Sequence, residues 1–168
     1  MNNKFYIHIV ILMLIQLFIL NNIQVNPYVI VNIYILAIFI LPLNIWKAAL
    51  PIIGFALGFI VDLSIGTLGI NAAAATFIAY LRPQLIKVSI NQPSINETEL
   101  KKFNNSSSFL KYILISVFIF NIVLVFIEAF SFQNILSSIL RIVLSSITDT
   151  ILISIYYFIA LKSKNNKL

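Results

Sequence analysis

The stretch from Gly54 to Ala75, GFALGFIVDLSIGTLGINAAAA, decides how this chain folds. Gly54, Gly58 and Asp62 recur at intervals of four residues, which places them along one stripe of a helix. Two glycines on such a stripe allow a second backbone to approach closely, and the alanines that begin at Ala72 offer a smooth face for it. The pattern therefore predicts two helices that pack closely in a hairpin.

The residues between these two helices have the composition of a tight turn. Gly66 and Gly69 suit backbone positions with positive φ, and Asn71 is placed to cap the second helix. Asp62 ends the glycine stripe, and a carboxylate in an apolar setting is costly unless it is paired, hydrated or protonated. Two interpretations of Asp62 stay open: a packing residue at the hairpin interface, or a functional group.

The composition of the whole chain is typical of a membrane protein. Hydrophobic residues make up 61% of the 168 residues and charged residues only 10%, whereas about a quarter of a typical soluble domain is charged. We therefore predict an integral membrane protein in contact with the lipid bilayer. A soluble enzyme and a nucleic-acid-binding domain are excluded.

The residues that carry chemistry in other proteins are scarce here. The absence of Cys removes disulfides and thiol catalysis, and a single His cannot build a histidine-rich metal site. The sequence contains neither a Ser, His and Asp arrangement with catalytic spacing nor a phosphate-binding glycine loop. We therefore expect a protein that is not an enzyme, with no catalytic residues, no metal and no cofactor.

Long apolar blocks predict an all-α fold, because the strands of a membrane β-barrel would alternate polar and apolar residues. The blocks form a single membrane domain of residues 1–168, with a polar cytoplasmic linker at residues 87–108. The six predicted transmembrane helices are residues 5–20, 28–41, 46–63, 70–86, 109–130 and 135–161.

Basic residues test this count independently, because Lys and Arg concentrate in cytoplasmic loops. Ten of the eleven basic residues fall on the N-terminal side of a six-span alternation, and the opposite loops at 21–26, 64–69 and 131–134 contain none. We therefore predict a multi-pass protein with both termini in the cytoplasm. Arg141, inside the sixth predicted span, is the one basic residue that does not fall on this side.

Four ionisable residues in or near the spans form a predicted intramembrane polar cluster. Asp62, Glu128 and Arg141 lie towards the outer face in this topology, and Asp149 lies two helical turns deeper than Arg141. A structural ion pair that locks helices together is favoured over a transport or proton-relay role. The uncharged polar residues in the spans are interpreted as interhelical hydrogen-bonding groups: His8, Gln16, Asn32 and Asn121.

Three motifs lie close together: Gly-x-x-x-Gly-x-x-x-Asp at 54–62, Gly-x-Asn-Ala-Ala-Ala at 69–74 and Tyr-Leu-Arg-Pro at 80–83. In these motifs the chain resembles the rod shape-determining protein MreD family, and its size, six predicted spans and basic linker extend the likeness over the whole length. The positions that the resemblance marks for helix packing or partner binding are Gly54, Gly58, Asp62, Gly66, Gly69, Asn71, Arg82 and Pro83.

The resemblance implies a non-enzymatic scaffold subunit of the bacterial elongasome, the peptidoglycan synthesis complex that sets cell shape. Such a subunit lies in the inner (cytoplasmic) membrane and binds MreC. Through MreC it is linked indirectly to RodA, to the elongation transpeptidase and to MreB. The implied fold is similar to that of the substrate-binding components of energy-coupling-factor transporters.

That fold similarity leaves a second function open, a small-molecule-binding component of a transporter. Such components carry an Ala-x-x-x-Ala motif in their first helix for docking on the energising module, whereas residues 5–20 contain no Ala. The scaffold is therefore favoured. An ion or proton channel is a third possibility, and only the predicted polar cluster favours it.

Overall fold

The computed structural model describes residues 3–22, 29–42, 45–90, 106–129 and 135–162. Its regular elements are helices, which confirms the prediction of an all-α fold for this part of the chain. A 3₁₀ turn follows the first helix at Leu20–Asn22, and a π-helical segment follows the last at Tyr157–Lys162. The helices are α1 (Asn3–Phe18), α2 (Ile35–Phe39), α3 (Ala49–Ile65), α4 (Ile70–Ile90), α5 (Ser106–Ala129) and α6 (Ile135–Tyr156).

Five of the six helices surround α2. α3, α4, α5 and α6 are neighbours in chain order, α1 lies beside α3, and a hydrogen bond between His8 and Tyr156 joins α1 to α6. α2 occupies the centre, where every residue from Ile33 to Phe39 is buried. The aromatic rings at its two ends meet α5 edge-on, Tyr34 against Phe120 and Phe39 against Tyr112. The core of the bundle is therefore filled by the chain itself.

The second predicted transmembrane helix, residues 28–41, is wrong as a continuous helix. Only Ile35–Phe39 is helical, and five residues rise about 7.5 Å, far less than the roughly 30 Å of a bilayer core. Hydropathy misassigned the segment because a chain surrounded by other helices is as apolar as one that faces lipid. Residues 31 and 32 and the turn that follows them are non-helical.

The buried segment nevertheless crosses the bundle from one end to the other. The Asn21 side chain donates a 2.6 Å hydrogen bond to the hydroxyl of Ser64, so the C-terminal ends of α1 and α3 lie together. Because α1 and α3 run in the same direction, residues 29–42 between them run back through the interior. The His8–Tyr156 bond places the start of α1 beside the end of α6. The described ends of the chain therefore lie at the same end of the bundle.

Two helices are long and apolar enough to cross a membrane, Ser107–Ala129 and Leu136–Ile159. The apolar helices Tyr6–Asn22 and Ala49–Ile65 are shorter. The predicted linker at residues 87–108 falls mostly outside the described residues, since α4 continues to Ile90 and α5 begins at Ser106.

Candidate functional site

The glycine stripe of α3 is the contact surface for α4. A Cβ atom on Gly58 would lie 2.5 Å from the carbonyl oxygen of Asn71 and 2.7 Å from the Cα of Ala72. A Cβ atom on Gly54 would lie 2.6 Å from the carbonyl oxygen of Ala75. All three distances are shorter than real Cβ contacts, so the two backbones touch where only glycine fits. The stripe is therefore occupied within the chain and is not an outward-facing surface.

Asp62 lies at the end of this contact and holds the start of α4. Its side chain is 1% exposed. Oδ1 accepts hydrogen bonds from the backbone N–H and the side-chain amide of Asn71, at 3.0 and 3.1 Å, and from the hydroxyl of Thr67. Oδ2 accepts the backbone N–H of Ala72 at 2.8 Å. A carboxylate at a helix N-terminus satisfies free N–H groups and complements the helix dipole.

Asn71 therefore has a different role from the predicted one. The cap of α4 is Asp62, reaching across from the preceding helix, and Asn71 connects that carboxylate to the centre of the bundle. Its side-chain oxygen accepts a hydrogen bond from the Tyr34 hydroxyl at 3.3 Å. Sequence reasoning did not single out Tyr34, because an aromatic residue in an apolar block gives no local sign of such a bond.

The turn between α3 and α4 depends on glycine conformation. Gly66 ends α3 with φ of 79°, and its N–H and that of Thr67 bond to the carbonyl oxygen of Asp62 at 2.8 and 3.1 Å. Gly69 has φ of 85°. Positive φ strains residues that carry a Cβ. These two glycines therefore serve the turn, whereas Gly54 and Gly58 serve the helix contact.

Arg82 forms hydrogen bonds to the C-terminal end of the buried segment. It is 3% exposed and lies in α4 directly before Pro83, through which the helix continues to Ile90. Its guanidinium group donates to the carbonyl oxygens of Phe39, Leu41 and Pro42. These carbonyls lie at the end of α2 and just after it, where a helix leaves its last acceptors without internal partners. Arg82 therefore caps α2 from a neighbouring helix.

Asp149 binds the backbone at the opposite end of the same segment. Its fully buried carboxylate accepts the backbone N–H of Asn32 at 2.8 Å and the side-chain amide of Asn121 at 3.0 Å. One turn away, the Ser145 hydroxyl accepts the N–H of Ile30 at 2.9 Å. Two side chains of α6 thus replace the main-chain partners that a regular helix would have provided.

Gln16 of α1 also forms side-chain hydrogen bonds to the backbone of the buried segment, so a third helix contacts this segment. Its amide donates to the carbonyl oxygen of Val31 at 2.9 Å and to the side chain of Asn21 at 2.8 Å, and its oxygen accepts the N–H of Tyr34 at 3.4 Å. The interpretation of Asn121 and His8 as interhelical hydrogen-bonding residues is confirmed, whereas Gln16 binds the non-helical backbone of the buried segment. Asn32 takes part through its backbone.

The four predicted ionisable residues do not form one cluster, but the predicted ion pair between helices is present. Arg141 pairs with Glu128 at 2.9 Å, with side chains 29% and 34% exposed. Asp62 binds the start of α4, and Asp149 binds Asn32 and Asn121. The prediction paired charges with each other, but in the interior both carboxylates accept donors of the backbone and of amides.

Replacing Arg141 with leucine is therefore expected to have a small effect. The pair is partly exposed and lies near the end of α5, where ion pairs contribute about 1 kcal/mol or less. We expect the free energy of unfolding of Arg141→Leu, measured by denaturant titration in detergent, to fall by no more than about 1 kcal/mol. A loss of several kcal/mol would mean that Arg141 supports a second carboxylate.

The buried polar residues thus form hydrogen bonds to one largely non-helical segment that the other helices surround. The described residues hold no group of three His, Cys, Asp or Glu side chains placed to bind a metal ion. No protein-family model, curated protein or solved structure matches the chain.

Proposed function

We propose that the chain is a six-pass protein of the bacterial inner membrane, with both termini in the cytoplasm. Support comes from the two membrane-length helices and from the position of ten basic residues on one side of the alternation. The buried segment of residues 29–42 supplies the second crossing. Non-helical backbone at membrane depth is tolerated where protein surrounds it and other groups satisfy its hydrogen bonds, as Arg82, Asp149 and Gln16 do here.

Reporter fusions test this layout. We expect a fusion after Leu168 to report the cytoplasm and a fusion within the Gly66–Gly69 turn to report the outside. A fusion at residue 98, in the predicted basic linker, serves as the cytoplasmic control. An outward-facing C-terminus would contradict the six crossings.

We further propose that the protein is a non-enzymatic scaffold of the cell-elongation machinery, similar in role to MreD, and that it binds the single transmembrane helix of MreC. The observation that carries this proposal is the filled centre of the bundle. Where a solute-binding protein needs a cavity, the residues of α2 and the rings of Tyr34 and Phe120 are buried against one another. The apolar side chains that remain for interactions point outward, as Phe55, Leu63 and Phe126 do.

The resemblance in residues 54–83 supplies the identity of the partner. RodA, the elongation transpeptidase and MreB would then be reached indirectly through MreC. Among the described residues no observation favours the transporter alternative, since the stripe at Gly54 and Gly58 and the carboxylates Asp62 and Asp149 all bind parts of this chain.

Co-purification with MreC tests the scaffold. We expect the tagged chain, co-expressed with the MreC of the same bacterium and extracted in mild detergent, to retain MreC through two chromatography steps. An MreC whose transmembrane helix is exchanged for that of an unrelated single-pass protein is the matched control, and it should be lost. Equal recovery of both, or of neither, would contradict the proposal, as would uptake of a vitamin-sized solute by the purified chain alone.

A further inference from the structure

An apolar groove runs along the outer surface between α5 and α6. Its volume is about 310 Å³. The side chains that line it include Leu114 and Phe118 on α5, and Val143, Ile147, Thr150 and Ile151 on α6. The volume is at the lower end of the range for small-ligand pockets and is too small for a helix of about 10 Å diameter. Its size therefore favours a narrow apolar chain.

A positive charge lies in line with one end of this groove. Lys111 is three residues before Leu114 and seven before Phe118, so all three share one exposed face of α5. Lys111 has no ion pair within the part of the chain that the structure describes. Ser107, one turn earlier, is exposed on the same face. A cation and a hydroxyl on the helix face that continues from an apolar groove complement a phosphate group that carries a hydrocarbon chain.

The direction of the helices agrees with this arrangement. α5 and α6 are consecutive and antiparallel, so Ile151 of α6 lies nearer to the Lys111 end of the groove and Val143 lies further from it. The groove extends about 12 Å along α6, from the eight-residue separation of these positions. In the proposed topology the Lys111 end is cytoplasmic, at the depth where lipid headgroups meet basic residues.

We infer that the α5–α6 groove binds an anionic phospholipid of the cytoplasmic leaflet, with one acyl chain along the groove and the phosphate group at Lys111 and Ser107. The inference rests on the proposed insertion in the membrane and is independent of the proposed partner MreC. It gives the protein a lipid site on the outer face of its two longest apolar helices.

Two pairs of variants test the apolar groove and its basic end separately. Val143→Trp fills the groove, whereas Leu144→Trp adds the same bulk at a neighbouring position that does not line it; the two side chains are 42% and 40% exposed. Lys111→Gln removes the charge at the groove, and Lys87→Gln removes an exposed charge in the last turn of α4. The purified full-length chain in detergent is titrated with phosphatidylglycerol or with phosphatidylcholine of identical acyl chains, and bound lipid is counted by native mass spectrometry.

We expect the unmodified protein to retain phosphatidylglycerol in preference to phosphatidylcholine. Lys111→Gln should weaken phosphatidylglycerol binding about fivefold, the effect of one basic residue near an anionic lipid, and Lys87→Gln should not. Val143→Trp should weaken binding of both lipids more than about tenfold, because the acyl chain loses its buried contacts, whereas Leu144→Trp should leave binding unchanged.

Equal binding by Val143→Trp and Leu144→Trp would overturn the inference, and so would equal losses at Lys111 and Lys87. Loss of MreC from Val143→Trp with unchanged lipid binding would also overturn it, because the groove would then receive a protein helix. If instead the reporter fusions contradict the six crossings, the proposed topology fails, and that result is separate from the lipid counts.

Discussion

Replacing Asp62 with leucine is expected to cause a large loss of stability. The carboxylate accepts four hydrogen bonds, two of them from the backbone N–H groups of Asn71 and Ala72 at the start of α4. Leucine has a similar size but leaves these buried donors without an acceptor, and each stranded group costs about 1–3 kcal/mol. We expect the free energy of unfolding in detergent, followed by circular dichroism, to fall by at least about 3 kcal/mol.

Asparagine at the same position gives an internal control. Its oxygen can occupy the place of Oδ1, which accepts three of the four bonds, but its amide group would face the N–H of Ala72 as a second donor. We expect Asp62→Asn to lose about 1–2 kcal/mol, between the wild type and Asp62→Leu. Glu128→Leu, at the partly exposed ion pair, should lose about 1 kcal/mol or less. If Asp62→Leu were no less stable than Glu128→Leu, the carboxylate would not hold the hairpin together.

The sequence predicted the α3–α4 hairpin better than any other part of the fold. A spacing of four between Gly54, Gly58 and Asp62 specifies one helix face whatever surrounds it, and two nearby glycines specify a turn. The spacing could not predict which hydrogen-bond donors Asp62 binds. Its acceptors point at Asn71 and Ala72, nine and ten residues further along, and that register depends on the left-handed turn at Gly66.

The central segment could not be predicted from hydropathy. Residues 33–39 are apolar because they are surrounded by five helices, and an apolar helix in lipid has the same composition. Asn32 and the prolines at 27 and 42 are the signals that could have indicated a break in the helix, since proline and asparagine occur where main-chain hydrogen bonding changes. Their effect on the fold becomes visible only with the neighbouring helices in place.

The positions of the buried charges follow from this break. The short helix α2 leaves N–H groups free at its start and carbonyl groups free at its end, the non-helical residues beside it leave both kinds free, and all of them need partners. Asp149 accepts an N–H at the first end, and Arg82 donates to carbonyls at the second. Acid and base are therefore separated along the segment. Sequence reasoning instead placed Asp149 in a cluster with Arg141, because it considered charges and not the backbone groups of this segment.

The second large effect is expected at Gly58, where leucine should prevent α3 and α4 from packing. Even a Cβ atom there would lie 2.5 Å from the carbonyl oxygen of Asn71, and backbone atoms of a helix cannot move aside singly. We expect Gly58→Leu to reduce the free energy of unfolding by about 3 kcal/mol or more and to abolish co-purification with MreC, while the chain still inserts in the membrane.

Two matched variants separate packing from other effects of the substitution. Ala56→Leu adds similar bulk on the exposed face of α3, two residues away, and should leave both stability and partner recovery unchanged. Gly66→Ala meets no atom within 4 Å, so it should lose only the roughly 1 kcal/mol that a positive φ costs a residue with a Cβ. Recovery of MreC by Gly58→Leu at the level of Ala56→Leu would mean that the partner binds independently of the hairpin. Since α3 presents its glycines to α4 and its apolar residues outward, loss of MreC from Gly58→Leu alone would indicate that MreC needs the hairpin as a folded unit.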